Sequence, residues 1–530
     1  MIQKVLFYFV LFIPFLSCTS KQKVCQTPNV VLILCDDLGY SDLGCFGSEI
    51  HTPNLNRLAE EGLRMTQFYN AAKCCPTRAS LLTGLNQFQA GVGHMDSNLG
   101  TPEYQGFLND RCITLAELLK NAGYNTYMSG KWHVGREKGH WPLDRGFDRY
   151  YGLIDGATNY YNIIAYDDTT KRKIFLSDST CIEIPGPTES DWAKNQGFYT
   201  TDAFTDYALR FLTIQEKKEN PFFLYIAYNA PHWPLHAFPE DIEKYTGRYS
   251  KGWDSLRIER YQKQIDLGII DPGLEMAPLD SFVVPWNEAE EHTKREFELE
   301  MALYAAVVDR MDQNIGRVIS KLEDMDVLKN TLIIFLSDNG GCHTTPAFEH
   351  LQGTPGGPNS FPCYGFMGAE VSNVPFRYYK QFIHEGGIST PFIAYYSNMI
   401  SPGAISGQPA HIIDIMPTIS DLCDIPYPDE FKGKNINPLQ GESLKPVFQG
   451  KEINRLKPLF WEHMGSRGVR NGDWKLVSSR RENVWELYNM ETDRTELNNL
   501  ADHYPEKRDH MIQLYEEWAE ENGILPWPHE

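Results

Sequence analysis

The chain has 530 residues, of which 42% are hydrophobic, and its formal net charge at pH 7 is −21. This length and hydrophobic content suffice for one large domain plus one or two smaller ones, and they exclude a mainly disordered chain. The negative charge argues against a nucleic-acid partner, and it means that any anionic ligand must be bound by a local group of cations.

The first 18 residues have the pattern of a secretory signal. Lys4 precedes an apolar run over residues 5–16, which is too short to cross a bilayer as a stop-transfer helix. The ending Phe-Leu-Ser-Cys is similar to a loose bacterial lipobox, in which Cys18 is lipidated; a plain signal peptide cut nearby is the alternative. We therefore predict an exported protein, periplasmic or anchored to a membrane as a lipoprotein. The remaining cysteines have irregular spacing and predict no disulfide pair.

Residues 29–35 form an apolar, β-rich run without polar alternation, which is typical of a central parallel strand covered on both faces. Asp36 and Asp37 follow it directly. Two adjacent carboxylates at a strand end are costly unless solvent or a cation neutralises them, and their hard oxygens suit Ca²⁺ or Mg²⁺. An Asp-Asp pair alone is weak evidence, because many such pairs lie in ordinary loop turns.

The stretch from Cys74 to Gly84 predicts a reactive residue at the start of a helix. Pro76 suits the first helical turn, and Gly84 can end the helix in a left-handed conformation. The free N–H groups beside Cys74 and the guanidinium of Arg78, one turn further on, favour a tetrahedral oxyanion. A lone cysteine here would be interpreted as a buried thiol. The fixed spacing of cysteine, proline, arginine and Thr-Gly favours the functional interpretation.

Three further predicted strands each end in polar residues that carry chemistry. Because the carboxyl ends of parallel strands meet at one edge of a sheet, we expect these residues to share one site with Asp36 and Asp37. Lys380 precedes a fourth apolar run, residues 391–396. Lys131 and His133 follow the strand at residues 124–129, and His232 and His236 follow the strand at 221–228. Asp338 and Asn339 follow the strand at 331–337.

Helical patterns lie between these strands. The pattern at residues 296–322 repeats apolar residues at helical spacing, which we interpret as a core stripe. The other predictions are helices at residues 114–122, 201–212 and 411–423, an elaborated loop region at 160–200, and an insertion at 239–300 with a helical stretch at 253–267.

The pattern changes near residue 430 to short strands separated by turns, of which Asn471-Gly472-Asp473 is a strong hairpin signal. A helix is predicted at residues 505–522. The chain is thus predicted to be an α/β protein, with a signal at 1–18, a large doubly wound, mostly parallel sheet domain at 26–428, and a smaller C-terminal antiparallel sheet plus helix at 429–530.

The string Cys74-Cys75-Pro76-Thr77-Arg78 resembles the signature of the type I sulfatases of the alkaline phosphatase superfamily. In that family the first cysteine of a Cys-x-Pro-Ser/Thr-Arg motif is oxidised after translation to formylglycine. Cys74 is the matching position and Cys75 the variable one. The resemblance covers nearly the whole mature chain, and it implies a formylglycine-generating or sulfatase-maturing enzyme as a partner.

The resemblance implies one bound Ca²⁺, because a site rich in carboxylates argues against Zn²⁺ and an exported site meets calcium freely. The hydrate of the formylglycine at position 74 is then the nucleophile that attacks sulfur, and Asp338 helps to deprotonate it. The implied metal ligands are Asp36, Asp37, Cys74, Asp338 and Asn339.

The resemblance also implies roles for the basic residues of the site. Arg78, Lys131 and Lys380 neutralise the sulfate oxygens, and such preorganised charge is usually the largest catalytic contribution. His232 protonates the leaving alcohol. His133 takes the proton of the second hydroxyl, which expels sulfate and regenerates the aldehyde.

His94, His236 and His463 are candidate substrate contacts, and a satisfied surface imidazole or a packed one is the equal alternative for each. Arg377 is interpreted as a structural salt bridge, and His384-Glu385 as part of a tight turn. The predicted function is hydrolysis of sulfate esters, with a sulfated polysaccharide or oligosaccharide as substrate. The alternatives are a phosphonate or phosphodiester hydrolase of the same superfamily and an inactive protein that binds sulfated glycans.

Overall fold

The computed structural model describes residues 27–165, 171–345 and 353–528. The predicted signal and Cys18 lie outside these ranges. In the described residues, the strands β1 to β18 are Asn29–Cys35, Leu63–Met65, Phe68–Tyr69, Asn125–Gly130, Arg149–Leu153, Phe175–Ser177, Thr180–Cys181, Phe222–Ala227, Thr331–Ser337, Phe392–Tyr395, Ala404–Ser406, Ala410–His411, Glu430–Phe431, Lys434–Asn435, Leu459–His463, Ser466–Asn471, Trp474–Ser478 and Glu486–Asn489.

Helices surround the strands. In the same ranges, α1 to α13 are Pro53–Glu60, Cys74–Thr83, Leu115–Asn121, Glu189–Trp192, Thr200–Gln215, Pro239–Glu243, Gly252–Asp266, Glu291–Asp324, Gly365–Ser372, Glu385–Ile388, Ile415–Leu422, Lys445–Phe448 and Pro505–Glu521.

Ten strands form one mixed sheet, in the order β11-β2-β10-β9-β1-β8-β4-β5-β6-β7. The five central strands β9, β1, β8, β4 and β5 are parallel to one another, whereas β10 runs antiparallel to β9. Every residue of β1, β8 and β9 is buried, which is why these strands read as apolar runs without alternation. The predicted doubly wound, mostly parallel sheet is confirmed.

The sheet separates two hydrophobic cores, because successive side chains of a strand point to opposite faces. Val31 and Ile33 of β1 belong to the core that also contains the buried stripe of α8. Val30 and Leu32 belong to the core that contains residues of α2, α3 and α11. Helix α8 is longer than predicted, but its apolar stripe is in the core as expected.

One predicted region differs from the structure, and two short strands elsewhere were not predicted. The stretch at residues 160–200, interpreted as a loop, contains β6, β7 and α4, and the two strands extend the edge of the main sheet. Their brevity, two to three residues each, leaves too little period-two alternation to detect. The short strands β2 and β11 were missed for the same reason.

The C-terminal part matches its prediction closely. β15, β16, β17 and β18 form an antiparallel sheet in that order, and α13 packs on it through the buried side chains of Met511 and Tyr515. The hairpin between β16 and β17 turns at Gly472, which has a φ of 59°. No described cysteine is in a disulfide. Within the described residues, no helix is long and apolar enough to cross a membrane.

Gly130 ends β4 directly before the site described below, with a φ of 124°, and a Cβ there would lie 2.0 Å from the carbonyl oxygen of Ala227. Replacing Gly130 by alanine is therefore expected to lower the free energy of unfolding by more than about 3 kcal/mol, because the strands β4 and β8 must separate. Gly123→Ala is the matched control, since its φ is 90° but its nearest neighbour is 3.8 Å away. It is expected to cost about 1 to 2 kcal/mol. Urea denaturation measures both, and equal losses would contradict the close-approach argument.

Candidate active site

Cys74 is the first residue of α2 and is 3% exposed. Pro76 lies in the first turn, and the helix ends at Gly84, which has a φ of 69° and donates its N–H to the carbonyl oxygen of Ser80 at 2.9 Å. The predicted helix boundaries are confirmed. The N–H groups of a first helical turn have no partner inside the helix, so the side chain at position 74 lies at the positive end of the helix dipole.

Arg78 joins α2 to the ends of three strands. Its guanidinium is fully buried, donates to Asp338 Oδ2 at 2.8 Å, and lies 3.5 Å from Asp36 Oδ2. The other terminal nitrogen donates to the carbonyl oxygen of Lys131 at 3.0 Å. Lys131 is also fully buried, and its Nζ is 2.5 Å from Asp36 Oδ2. Buried charges are stable only when they are balanced and hydrogen bonded, so these pairs keep two cations and two carboxylates in place.

A second group of charges centres on Asp37. Its Oδ1 accepts from Lys380 Nζ at 2.5 Å and from Asn339 Nδ2 at 2.7 Å. His232 Nε2 lies 3.5 Å from Asp37 Oδ2, and the Nδ1 of the same ring is 2.7 Å from the carbonyl oxygen of Trp233. The Trp233 contact orients the imidazole so that Nε2 faces the carboxylate.

The sheet topology explains why these residues meet. Asp36, His232, Lys131 and Asp338 follow the carboxyl ends of the parallel strands β1, β8, β4 and β9. Lys380 precedes β10, and because β10 is antiparallel, its amino end lies at the same edge of the sheet. The site is therefore the edge at which parallel strands end and one antiparallel strand begins.

Burial and neighbouring charges shift the pKa values at this edge. Burial opposes ionisation of Asp36, but the ammonium of Lys131 holds its pKa well below the ordinary value. Burial and then the charge of Asp36 raise the pKa of Asp338. Burial lowers the pKa of His232 to about 4, and burial with the charge of Lys131 lowers that of His133 as well. Both imidazoles are consequently neutral at neutral pH.

The donor set fits a hard cation. Among the described residues, Asp36 Oδ1, Asp37 Oδ2 and Asn339 Oδ1 are buried oxygens that accept no hydrogen bond. Ligand atoms of Asp36, Asp37 and His232 all lie within 4.8 Å of one another. Carboxylate and amide oxygens are the ligands that Ca²⁺ and Mg²⁺ prefer. His232 was not in the predicted ligand set.

Several residues at this edge have a left-handed backbone that side chains other than glycine rarely adopt. The φ values are 67° at Asp37, 60° at Ala72, 57° at His133 and 80° at Gln381. Each such residue costs on the order of 1–3 kcal/mol, and such strain is concentrated at functional sites. The peptide N–H of Gln381 donates to the carbonyl oxygen of Ala72 at 2.9 Å. This bond couples the loop before Cys74 to the loop that carries Lys380.

Comparison with known proteins identifies the family. Residues 28–425 match the sulfatase family, and residues 376–522 match the family described as N-sulphoglucosamine sulphohydrolase, C-terminal. The chain is 37% identical to an uncharacterized sulfatase of Schizosaccharomyces pombe, with 96% of each chain covered. It is 33% identical to an arylsulfatase of Klebsiella aerogenes, with 81% of this chain and 94% of the relative covered. The chain belongs to the sulfatase family.

This sulfatase is a sulfuric ester hydrolase, which excludes the alternative of an inactive glycan binder. Its fold is similar to the crystal structure of Ps i-CgsB in complex with k-i-k-neocarrahexaose, with a TM-score of 0.70, 24% identity and 95% of each chain covered. At that identity the likeness concerns the fold alone, and it agrees with the large sheet and the small C-terminal sheet described above.

The three candidate substrate histidines of the sulfatase lie in different surroundings. His236 is fully buried; its Nδ1 accepts from the N–H of Tyr160 at 3.3 Å, and its Nε2 is 2.9 Å from the carbonyl oxygen of Ser360. These bonds favour the alternative of a packed imidazole. The rings of His94 and His463 are 6.1 Å apart and nearly parallel. Among the described residues, neither ring nitrogen of His463 has a hydrogen bond.

The structural roles expected for Arg377 and His384 agree with the contacts. Arg377 donates to Tyr488 at 3.0 Å and to the carbonyl oxygen of Glu496 at 2.6 Å. Its distance to Glu486 is 4.0 Å, while His384 Nε2 is 2.8 Å from the same carboxylate. Arg377 and His384 therefore connect the large domain to the C-terminal part.

Three further basic residues near this edge, Lys73, His343 and Arg480, are not recognisable from the sequence pattern. Lys73 directly precedes Cys74 and is the N-cap of α2, but a lysine at that position has no diagnostic spacing. His343 follows the Asp338-Asn339 segment, and its ring stacks on Tyr379 with centroids 4.2 Å apart. Arg480 is in the C-terminal part, and only tertiary contacts bring it near the site.

Proposed function

We propose that this sulfatase is exported and removes sulfate from a sulfated polysaccharide or oligosaccharide, with formylglycine made from Cys74 and a bound Ca²⁺. The observation that carries the proposal is the meeting of Arg78, Lys131 and Lys380 with buried carboxylates at the start of α2. Three cations at the mouth of a helix suit a tetrahedral oxyanion such as a sulfate ester. The neocarrahexaose bound by the structural neighbour supports a saccharide as the substrate class.

Asp36, Asp37 and Asn339 would hold the cation, because each has a buried oxygen that accepts no hydrogen bond among the described residues. Asp338 can join them: each of its oxygens accepts one hydrogen bond, from the N–H of Asp37 at 3.2 Å and from Arg78 at 2.8 Å, and retains a second lone pair. A bound Ca²⁺ supplies Lewis acidity that polarises a sulfate oxygen. The formylglycine supplies an aldehyde whose hydrate carries the nucleophilic hydroxyl.

The protein's own residues have separate tasks. Arg78 and Lys131, both fully buried, direct positive charge towards the sulfate oxygens without rearrangement during the reaction. Lys380 does the same from the opposite loop. The negative charge of a bound sulfate ester favours protonation of His232, which lies beside Lys380 and transfers that proton to the leaving alcohol. His133, held neutral by burial and by Lys131, accepts a proton when sulfate is expelled.

Oxidation of Cys74 is the part of the proposal that can be measured directly. Protein made with a maturing enzyme is expected to yield a peptide in which residue 74 has the mass of formylglycine, and its activity on an aryl sulfate should rise in proportion to that fraction. Unmodified protein should be nearly inactive, because a thiol has no second hydroxyl for the release of sulfate. Mass spectrometry of the peptide with Cys74, paired with turnover, measures both.

Cys75→Ala is the matched control, because position 75 is the variable position of the motif; the variant should still yield a peptide with formylglycine at position 74. Full activity with an intact thiol at position 74 would refute the proposal. Faster turnover of a bis-aryl phosphate than of an aryl sulfate would favour the phosphodiester alternative instead. For export, labelling with a lipid precursor tests Cys18, and an unlabelled mature protein refutes its lipidation.

A further inference from the structure

The C-terminal sheet presents two turns at the edge near Lys380. Because β15 to β18 are antiparallel neighbours, the turn between β15 and β16 and the loop between β17 and β18 lie at the same end of the sheet. Arg480 lies in the loop between β17 and β18. Its peptide N–H donates to Ser466 Oγ at 3.2 Å, and its guanidinium donates to Gln381 Oε1 at 2.7 Å. It also lies 3.7 Å from Met464 Sδ. Arg480 thus connects both turns to the residue beside Lys380.

Two cations near these turns, Lys73 and Arg480, have no carboxylate partner among the described residues, unlike the lysines of the sulfate site. Lys131 and Lys380 each have an aspartate at 2.5 Å. Within the described ranges, by contrast, Lys73 has no ion pair, and the guanidinium of Arg480 donates only to the neutral groups of Gln381 and Met464. In a chain with a net charge of −21, two partly buried cations without a carboxylate partner make the region beside the sulfate site suited to a further anion.

His463 is the last residue of β15 and supports the same conclusion. It is fully buried, and in the part of the chain that the structure describes, both of its ring nitrogens are without a hydrogen bond. A buried polar group in this state costs about 1–3 kcal/mol unless a ligand satisfies it. Burial and then the charges of Lys73, His94 and Arg480 lower its pKa. The imidazole is therefore neutral, with one donor and one acceptor for a ligand.

We propose that Lys73, Arg480 and His463 form a second anion subsite, which binds another sulfate or a carboxylate of the saccharide whose sulfate ester is hydrolysed. The inference rests on the proposed function and narrows its substrate to saccharides with at least two anionic groups. Lys73 adjoins Cys74, so the second group lies on the same or the adjoining sugar residue. Arg480 supplies a planar fork that suits either anion.

The test measures binding to the full chain with Cys74→Ala, which cannot hydrolyse a sulfate ester. Isothermal titration calorimetry compares two pairs of matched ligands. The pair that tests a second sulfate is N-acetylglucosamine 6-sulfate and glucosamine 2-N,6-O-disulfate. The pair that tests a carboxylate is a 6-sulfated hexosamine with and without a linked uronic acid. At least one doubly anionic ligand is expected to bind about 10- to 100-fold more tightly than its singly charged match, as charge-assisted hydrogen bonds predict. Adding Arg480→Gln should reduce that ratio to about one.

Arg467→Gln is the matched control, because Arg467 belongs to the same sheet, donates to Asn483 and has no described ion pair. Arg467→Gln should leave the ratio of the two ligand affinities within about twofold of the ratio measured without it. The inference is overturned if no doubly anionic ligand binds more tightly than its match, or if Arg467→Gln lowers the ratio as much as Arg480→Gln. Since binding is measured without turnover, a matured wild-type enzyme that hydrolyses no saccharide sulfate would contradict the proposed function alone.

Discussion

Replacement of Asp37 by asparagine is expected to lower the kcat/KM for an aryl sulfate at least about a thousandfold. Asp37 Oδ1 accepts from Lys380 at 2.5 Å, and an amide cannot balance that buried ammonium. Its Oδ2 is one of the oxygens that would hold the proposed cation. The variant should therefore lose both calcium affinity and the correct position of Lys380. Steady-state kinetics and calcium titration of the same preparation measure the two effects.

Asp271→Asn is the control for this substitution, because Asp271 is exposed and, among the described residues, its carboxylate accepts only a local N–H, that of Gly273. It should retain wild-type kinetics and calcium binding. If Asp37→Asn loses activity but binds calcium as tightly as the wild type, then Asp37 positions Lys380 and is not a metal ligand. If it keeps both activity and calcium, the proposed site is wrong.

Replacement of Glu385 by glutamine is expected to lower the free energy of unfolding by about 3 to 5 kcal/mol at pH 7. Glu385 is fully buried; its carboxylate accepts from Lys475 at 2.9 Å and from Arg494 at 3.1 Å. Both cations come from the C-terminal part. Lys475 would keep its second carboxylate, Glu496, at 2.8 Å, but Arg494 would lose the ion pair described for it, so the glutamine would leave a charge uncompensated in the interface. Urea denaturation and the protease sensitivity of the C-terminal part should both report the change.

The pH dependence of the same variant gives a second test. Burial opposes ionisation, but Lys475 and Arg494 lower the pKa of Glu385 to about 2 from an ordinary value near 4.5. A lowered pKa stabilises the fold when the carboxylate is charged, so this contribution is present above about pH 5 and is lost as the pH falls towards 2. The difference in the free energy of unfolding between the wild type and Glu385→Gln should therefore become smaller as the pH falls from about 5 towards 2. As a control, Glu491→Gln, at an exposed position, should have the same free energy of unfolding as the wild type at every pH. If the difference between the wild type and Glu385→Gln does not change with pH, the proposed role of the Glu385 charge is contradicted.

The sequence predicted the parts of this protein that depend on local chemistry and on regular patterns. The buried strands β1, β8 and β9 were recognisable because they are apolar throughout, and α8 because its stripe repeats at helical spacing. The helix start at Cys74 followed from Pro76 and Gly84. Short strands such as β6 and β7 were missed, since two or three residues carry no period.

For the candidate site, the sequence predicted which strand ends come together, but it did not predict the contacts that each side chain makes there. The expectation that residues after strand ends would meet was correct for Asp36, Asp338, Lys131 and His232. That His232 lies with Asp36 and Asp37 in a group suited to a metal, whereas both nitrogens of His236 bind backbone groups, could not be predicted, because both histidines occupy the same proline-rich loop.

By itself, the sequence determined the fold class, the reactive cysteine at a helix start and the family to which the chain belongs. Only the tertiary structure decided which charges are balanced. Lys131 and Lys380 lie against aspartates, whereas Lys73 and Arg480 have no carboxylate among the described residues. The physical reason is distance: Coulomb interactions act between neighbours in space, and Arg480 is separated from Lys73 by about four hundred residues of chain. Folding of the C-terminal sheet against Gln381 is what brings the two cations to one site.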